Sequence, residues 1–189
     1  MISMAKALSD AGHSPTSFGY VALLESFDEI VAKLRDRLKT LSAQSPYGIV
    51  THSMGAILLR AALRNAEFTL PAHVVMLAPP NQSPRIARMV AHLLPFQWFA
   101  GQSGNNLASH TFYAQLPPLT CPYTLITGTM GLTGLFSPFG TEINDWIVGS
   151  EESKMHPHDQ PIEVRAPHSF IMNNKLAQAA TIKAFDVSA

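Results

Sequence analysis

The sequence predicts an α/β domain built on a mostly parallel sheet flanked by helices. Three observations carry this. Short apolar runs recur at residues 47–50, 73–78 and 121–127. Segments with apolar residues three and four apart lie between and around them. The second and third runs stop at turn chemistry, Pro79-Pro80-Asn81 and Gly128. The runs are nearly continuous rather than alternating, as in strands covered on both faces.

The elements follow in order. Ile2, Met4, Ala5 and Leu8 predict a helix that starts almost at the first residue and stops at Gly12. Residues 14–20 read as a short strand or extended segment. Residues 25–44 give the clearest helix, with Phe27, Ile30, Val31, Leu34, Leu38 and Leu41 along one face. Ser45-Pro46 ends it. The strand at 47–50 runs into the turn Thr51-His52-Ser53-Met54-Gly55. A helix follows to about Asn65, marked by Ile57, Leu58, Ala61 and Ala62. After the strand at 73–78, residues 84–94 suit a helix with Ile86, Met89, Val90 and Leu93 on one side. Residues 95–118 are less regular and read as a lid or irregular insertion. The third strand, 121–127, leads to an apolar loop at 132–139 and then to Asp145. Residues 161–164 read as a last short strand, and 173–185 as a terminal helix with Leu176, Ala180, Ile182 and Phe185.

Length and composition narrow the classes. At 189 residues, 47% apolar and 14% charged, the chain suits one domain, 1–189, with an ample core. Thirteen basic residues balance thirteen acidic ones, which argues against an electrostatic grip on nucleic acid or an anionic membrane. Cys121 is the only cysteine, so no intrachain disulfide forms. No run approaches the ~18 apolar residues of a transmembrane helix. The first twelve residues lack the basic start and apolar stretch of a signal peptide, and a cytoplasmic location is expected. There is no internal repeat, and no cofactor is expected.

The stretch from Tyr47 to Arg60 organises the chemistry. A strand that turns abruptly into a helix exposes the turn residue at the strand's carboxyl end. The first helical amides, unpaired, point to the same place. Ser53 therefore has an accessible hydroxyl, and the Met54 N–H is a donor for a developing oxyanion. Serine is also common at helix starts for capping alone. A serine nucleophile needs a base, usually histidine, held by a carboxylate. Asp145 follows the third strand and His168 follows the last one, both at carboxyl ends of strands. Ninety-two residues separate Ser53 from Asp145 and 23 separate Asp145 from His168.

Rivals exist for each role. Glu142 and, more distantly, Asp159 are alternative acids, and Asn144-Asp145 also reads as turn chemistry. Adjacent residues on a sharp turn point apart, which places His52 beside the sheet. His13, His73, His92 and His110 read as surface or packed histidines. His156, His158 and Asp159 faintly suggest a metal, but no further ligand set has matching spacing, so no metal is expected.

Thr51-His52-Ser53-Met54-Gly55 resembles the G-x-S-x-G nucleophile elbow of the α/β-hydrolases, departing only at Thr51. Other stretches resemble the lipase and esterase branch, notably bacterial lipases with a Thr-His-Ser-Met-Gly elbow. They are Leu77-Ala78-Pro79-Pro80-Asn81-Gln82-Ser83, Asn144-Asp145-Trp146-Ile147-Val148 and His168-Ser169-Phe170-Ile171. The resemblance implies an α/β-hydrolase-like fold and a catalytic order of Ser53, Asp145, His168. In that family a strand ending in His-Gly precedes the first helix and its loop supplies a second oxyanion donor. The sequence opens inside that helix, so the fold is expected to be N-terminally truncated. The elbow strand would then keep an apolar edge, unless the segment at 14–20 pairs with it or a homo-oligomer covers it.

The resulting expectation is a serine hydrolase cleaving a small-molecule or lipid acyl ester. His52, Trp98, Phe99, Leu135 and Phe136 are assigned to substrate binding, with residues 95–99 and 132–139 as lid or acyl pocket. The alternatives are a hydrolase-like binding module without turnover, and acyl transfer to an acceptor other than water.

Overall fold

The computed structural model describes residues 1–21, 24–44, 46–86 and 110–187. The chain order is α1 (Ile2–Asp10), α2 (Phe27–Ser42), β1 (Gly48–His52), α3 (Met54–Leu63), β2 (His73–Leu77), α4 (His110–Gln115), β3 (Tyr123–Gly128), β4 (Ile162–Val164) and α5 (Lys175–Asp186). Short 3-10 segments lie at Glu151–Ser153 and His168–Asn173. Most of the helix expected at 84–94, and residues 95–109 of the expected lid with Trp98 and Phe99, lie outside the described residues.

The four strands form one parallel sheet in the order β1-β2-β3-β4. Alternation along β2 explains its two covered faces. Val75 and Leu77 point to a layer holding Met4 and Leu8 of α1 and Ala177 of α5. Val74 and Met76 point to the opposite layer, with Leu38 of α2 and Ala56, Leu59 and Ala62 of α3. These four side chains of β2 are fully buried. At about 1.5–3 kcal/mol each, such side chains hold the three layers together.

Local chemistry sets the helix ends. Ser26 caps α2 by accepting from the Glu29 N–H, while the Glu29 carboxylate accepts from the Ser26 N–H, a reciprocal capping box. Asn174 caps α5 by accepting from the Leu176 and Ala177 N–H groups. In α3, Ala56 through Arg60 are all buried, which marks a helix enclosed on all sides. Among the described residues, Arg60 reaches no carboxylate. Its guanidinium donates to the backbone oxygens of Asn81, Leu116 and Pro117 at 2.9, 2.8 and 3.1 Å, tying α3 to the segments after β2 and before β3.

Of the strand and extended readings of residues 14–20, the strand does not form, and the segment does not pair with β1. Pro15 has no N–H to give a ladder, and Thr16 instead accepts from Arg37 of α2 at 3.4 Å. Among the described residues, β1 therefore lies at the edge of the sheet, paired with β2 alone. No helix of the described residues is long and apolar enough to cross a membrane.

Candidate active site

Ser53 sits at the junction of β1 and α3 with φ 52° and ψ −125°. L residues rarely adopt this backbone, which costs about 1–3 kcal/mol. The surroundings impose it. The Ser53 N–H donates to the Leu77 oxygen and the Ala56 N–H donates to the Ser53 oxygen, both at 3.0 Å. Thr51 is tolerated at the departing position of the elbow. A Cβ placed on residue 55 would lie 3.5 Å from the Thr51 Cβ, an ordinary contact. Met54 is the first residue of α3, so no preceding helical turn offers its N–H a partner.

Asp145 lies in the long loop after β3 and is 1% exposed. A tight turn wraps its carboxylate. Oδ1 accepts from the Ile147 and Val148 N–H groups at 3.0 and 2.8 Å, and the Asp145 N–H donates to the Val148 oxygen at 3.1 Å. Oδ2 is left to face the Nδ1 of His168 at 2.8 Å. The two sequence readings of Asp145, turn cap and acid, are thus satisfied by its two oxygens. Glu142 is committed elsewhere, to an ion pair with Arg85 and to the Glu151 N–H. Asp159 accepts from the Tyr123 hydroxyl at the start of β3, the opposite edge of the sheet.

His168 opens the 3-10 turn that follows β4. Its N–H donates to the Asp145 backbone oxygen at 3.0 Å, so backbone and side chain bind the same residue. A carboxylate on Nδ1 keeps the proton there. Nε2 is then the acceptor, and it lies 2.8 Å from Ser53 Oγ. Three loops at the carboxyl ends of β1, β3 and β4 thus bring Ser53, Asp145 and His168 into one hydrogen-bonded chain.

Two features were not visible in the sequence. His52 does not simply pack beside the sheet: its Nε2 donates to the His168 carbonyl oxygen at 3.0 Å, with the rings 5.1 Å apart. Burial, and then the neighbouring His168, hold its pKa below the ordinary value, so the neutral ring is favoured. The second feature is Gly128 at the end of β3. A Cβ there would lie 2.3 Å from the Ala166 oxygen and 2.8 Å from the Asp145 Cβ. Only glycine lets the loops bearing Asp145 and His168 approach this closely. Its one sequence signal, a glycine closing an apolar run, reads equally as a strand stop.

The remaining candidates are scattered. Leu135 and Phe136 stand almost fully in solvent. His73 lies at the start of β2, its Nε2 2.9 Å from Thr124 Oγ1. His13 stacks edge-on against Phe185. Among the described residues, no three His, Cys, Asp or Glu side chains are placed to hold a metal ion.

No protein-family model and no curated protein sequence matches the chain. Solved structures do. Phospholipase PlaB from Legionella pneumophila superposes with a TM-score of 0.62 at 17% identity, over 97% of this chain and 53% of that one. The mature lipase BlEst2 from Bacillus licheniformis gives a TM-score of 0.64 at 17% identity, over 84% and 74%. An extracellular α/β-hydrolase from a Paenibacillus species gives 0.58 at 17% identity, over 97% and 92%. The chain therefore has an α/β-hydrolase-like fold, and these structural neighbours are hydrolases. It spans about half the length of PlaB.

Proposed function

We propose that the chain is a serine hydrolase of the lipase and esterase type, acting on a carboxylic ester of a small molecule or lipid. The observation that carries this reading is the pair of 2.8 Å contacts linking Ser53 Oγ to His168 Nε2 and His168 Nδ1 to Asp145 Oδ2. In this mechanism Ser53 Oγ attacks the acyl carbon while His168 Nε2 takes its proton. Asp145 stabilises the imidazolium and holds its orientation. The Met54 N–H donates to the oxyanion. His168 then returns the proton to the departing alcohol, and water releases the acyl group by the reverse sequence. The Ser53 backbone strain supports the reading, because strain of this kind persists where the surroundings enforce it.

The test is a chromogenic acyl-ester assay of the chain beside Ser53→Ala. Turnover by the parent chain and loss in the variant are expected; equal rates would reject the proposal. A binding module without turnover is the second reading. It is favoured by the edge position of β1, since the elbow strand has no second neighbour among the described residues to present another oxyanion donor.

A further inference from the structure

We propose that the loop between β3 and Asp145 is a docking wedge for the surface of neutral lipid, separate from any acyl pocket. Leu135 and Phe136 are 94% and 96% exposed, and Leu132, Trp146 and Ile147 also show much of their surface nearby in the chain. Bulky apolar side chains left in water ordinarily mark an interaction site when they gather. Residues 130–141 contain no charged side chain. A partner selected by salt bridges has nothing to grip there, whereas uncharged lipid does.

The loop is also built rather than loose. The Gly134 N–H donates to the Gly140 oxygen at 2.6 Å, the Ser137 N–H to the Gly134 oxygen at 3.0 Å and the Gly140 N–H to the Ser137 oxygen at 3.0 Å. Ser137 Oγ donates to the Leu132 oxygen at 2.7 Å and accepts from the Phe139 N–H at 3.1 Å. Backbone groups that bond one another enter an apolar medium at lower cost, because fewer lose water without replacement. Phe139 is buried and anchors the base, while Leu135 and Phe136 are held outward at the tip.

The wedge is joined to the candidate site. Asn144 Nδ2 donates to the Leu132 oxygen and the Gly131 N–H donates to the Asn144 oxygen, each at 2.8 Å. Asn144 precedes Asp145. Seating the tip in lipid therefore orients the carboxyl edge of the sheet, with Ser53, toward the surface from which an ester is drawn. Trp146 adds an amphipathic ring of the kind that favours the interface.

This inference rests on the lipid-ester reading for its purpose, but binding is separable from turnover. The experiment uses the Ser53→Ala chain with vesicles of pure phosphatidylcholine and measures co-sedimentation. Binding is expected, and Leu135→Ser with Phe136→Ser should weaken it at least about tenfold. Leu176→Ser, an exposed residue on α5, should leave it unchanged. Both wedge residues lie in solvent, and matching circular dichroism checks that the variant folds. In a Trp98→Phe background, Trp146 emission should shift to the blue on adding vesicles. Four results would overturn the proposal: no vesicle binding, equal binding by the double variant, binding only after anionic lipid is added, or no Trp146 shift. A vesicle-free dimer lost in the double variant would reassign the wedge to a second copy of the chain. Absence of ester turnover by the parent chain, with vesicle binding intact, would count against the hydrolase reading and spare this one.

Discussion

The Nε2–H of His52 donates to the backbone oxygen of His168 across 3.0 Å. The residue before the candidate nucleophile thus fixes the backbone of the candidate base, while Asp145 fixes its ring and its N–H. A small displacement of a positioned group can cost about a hundredfold in rate. His52→Phe, which keeps a ring but loses the donor, should lower kcat on a soluble ester by about 10–100-fold with a smaller change in KM. His52→Asn, which can still donate, should recover part of the loss. Steady-state kinetics of the two variants check this.

The same histidine predicts a dependence of stability on pH. Its folded pKa lies below the ordinary 6.5, chiefly through burial and then through His168. The unfolded chain therefore takes up the proton at higher pH than the folded one. The contribution of the neutral ring is complete above 6.5, shrinks as pH falls from there toward the folded pKa, and is gone below it. Urea unfolding across that acidic window should show a shallower loss of stability in His52→Asn than in the parent chain.

Asp145→Asn keeps the shape of the side chain but removes the charge facing His168 Nδ1. The ring then loses the partner that selects its tautomer, and on the proposed mechanism kcat should fall about 10⁴-fold, the loss that this change causes in a serine protease triad. Glu142→Gln should leave kcat within a few-fold, because Glu142 is held by Arg85 and the Glu151 N–H. Comparing the two rates separates the acid from its near neighbour in sequence.

Gly128→Ala tests the packing behind the site. The added methyl would meet the Ala166 backbone oxygen at 2.3 Å and the Asp145 Cβ at 2.8 Å, and neither is the free end of a flexible side chain. Overpacking of this kind costs about 1–3 kcal/mol. Thermal unfolding should report that loss, and kcat should fall further because the strain lands on the loops carrying Asp145 and His168.

What the sequence made legible was chemistry with a short range or a fixed order. The elbow announces itself in five consecutive residues. Asp145 and His168 match the acid and the base in the order that the resemblance to α/β-hydrolases implies, and each also follows a recognisable strand, at the carboxyl edge that parallel strands share. The missing parts depend on distant partners. His52 acquires its role only when the β4 loop folds over it, 116 residues away. The burial of Arg60 in α3 depends on the backbone oxygens of Asn81, Leu116 and Pro117, which lie far along the chain. The segment at 14–20 reads as a short strand or an extended segment, and Pro15 and the contact between Thr16 and Arg37 keep it out of the sheet. Leu135 and Phe136 read as part of a lid or acyl pocket, because a fatty-acyl ester offers mainly CH₂ surface to bind; their exposure to solvent is what the sequence does not show. The hydrogen bonds that hold them outward involve small polar residues whose pattern carries no such signal.

Activation of Ser53 by His168 is read directly by a fluorophosphonate probe. Mass spectrometry of the labelled, folded chain should place the adduct on Ser53, and His168→Ala should abolish it while unfolding at a similar temperature. A folded parent chain that takes up no label, or labels equally after His168→Ala, would show that His168 does not activate Ser53.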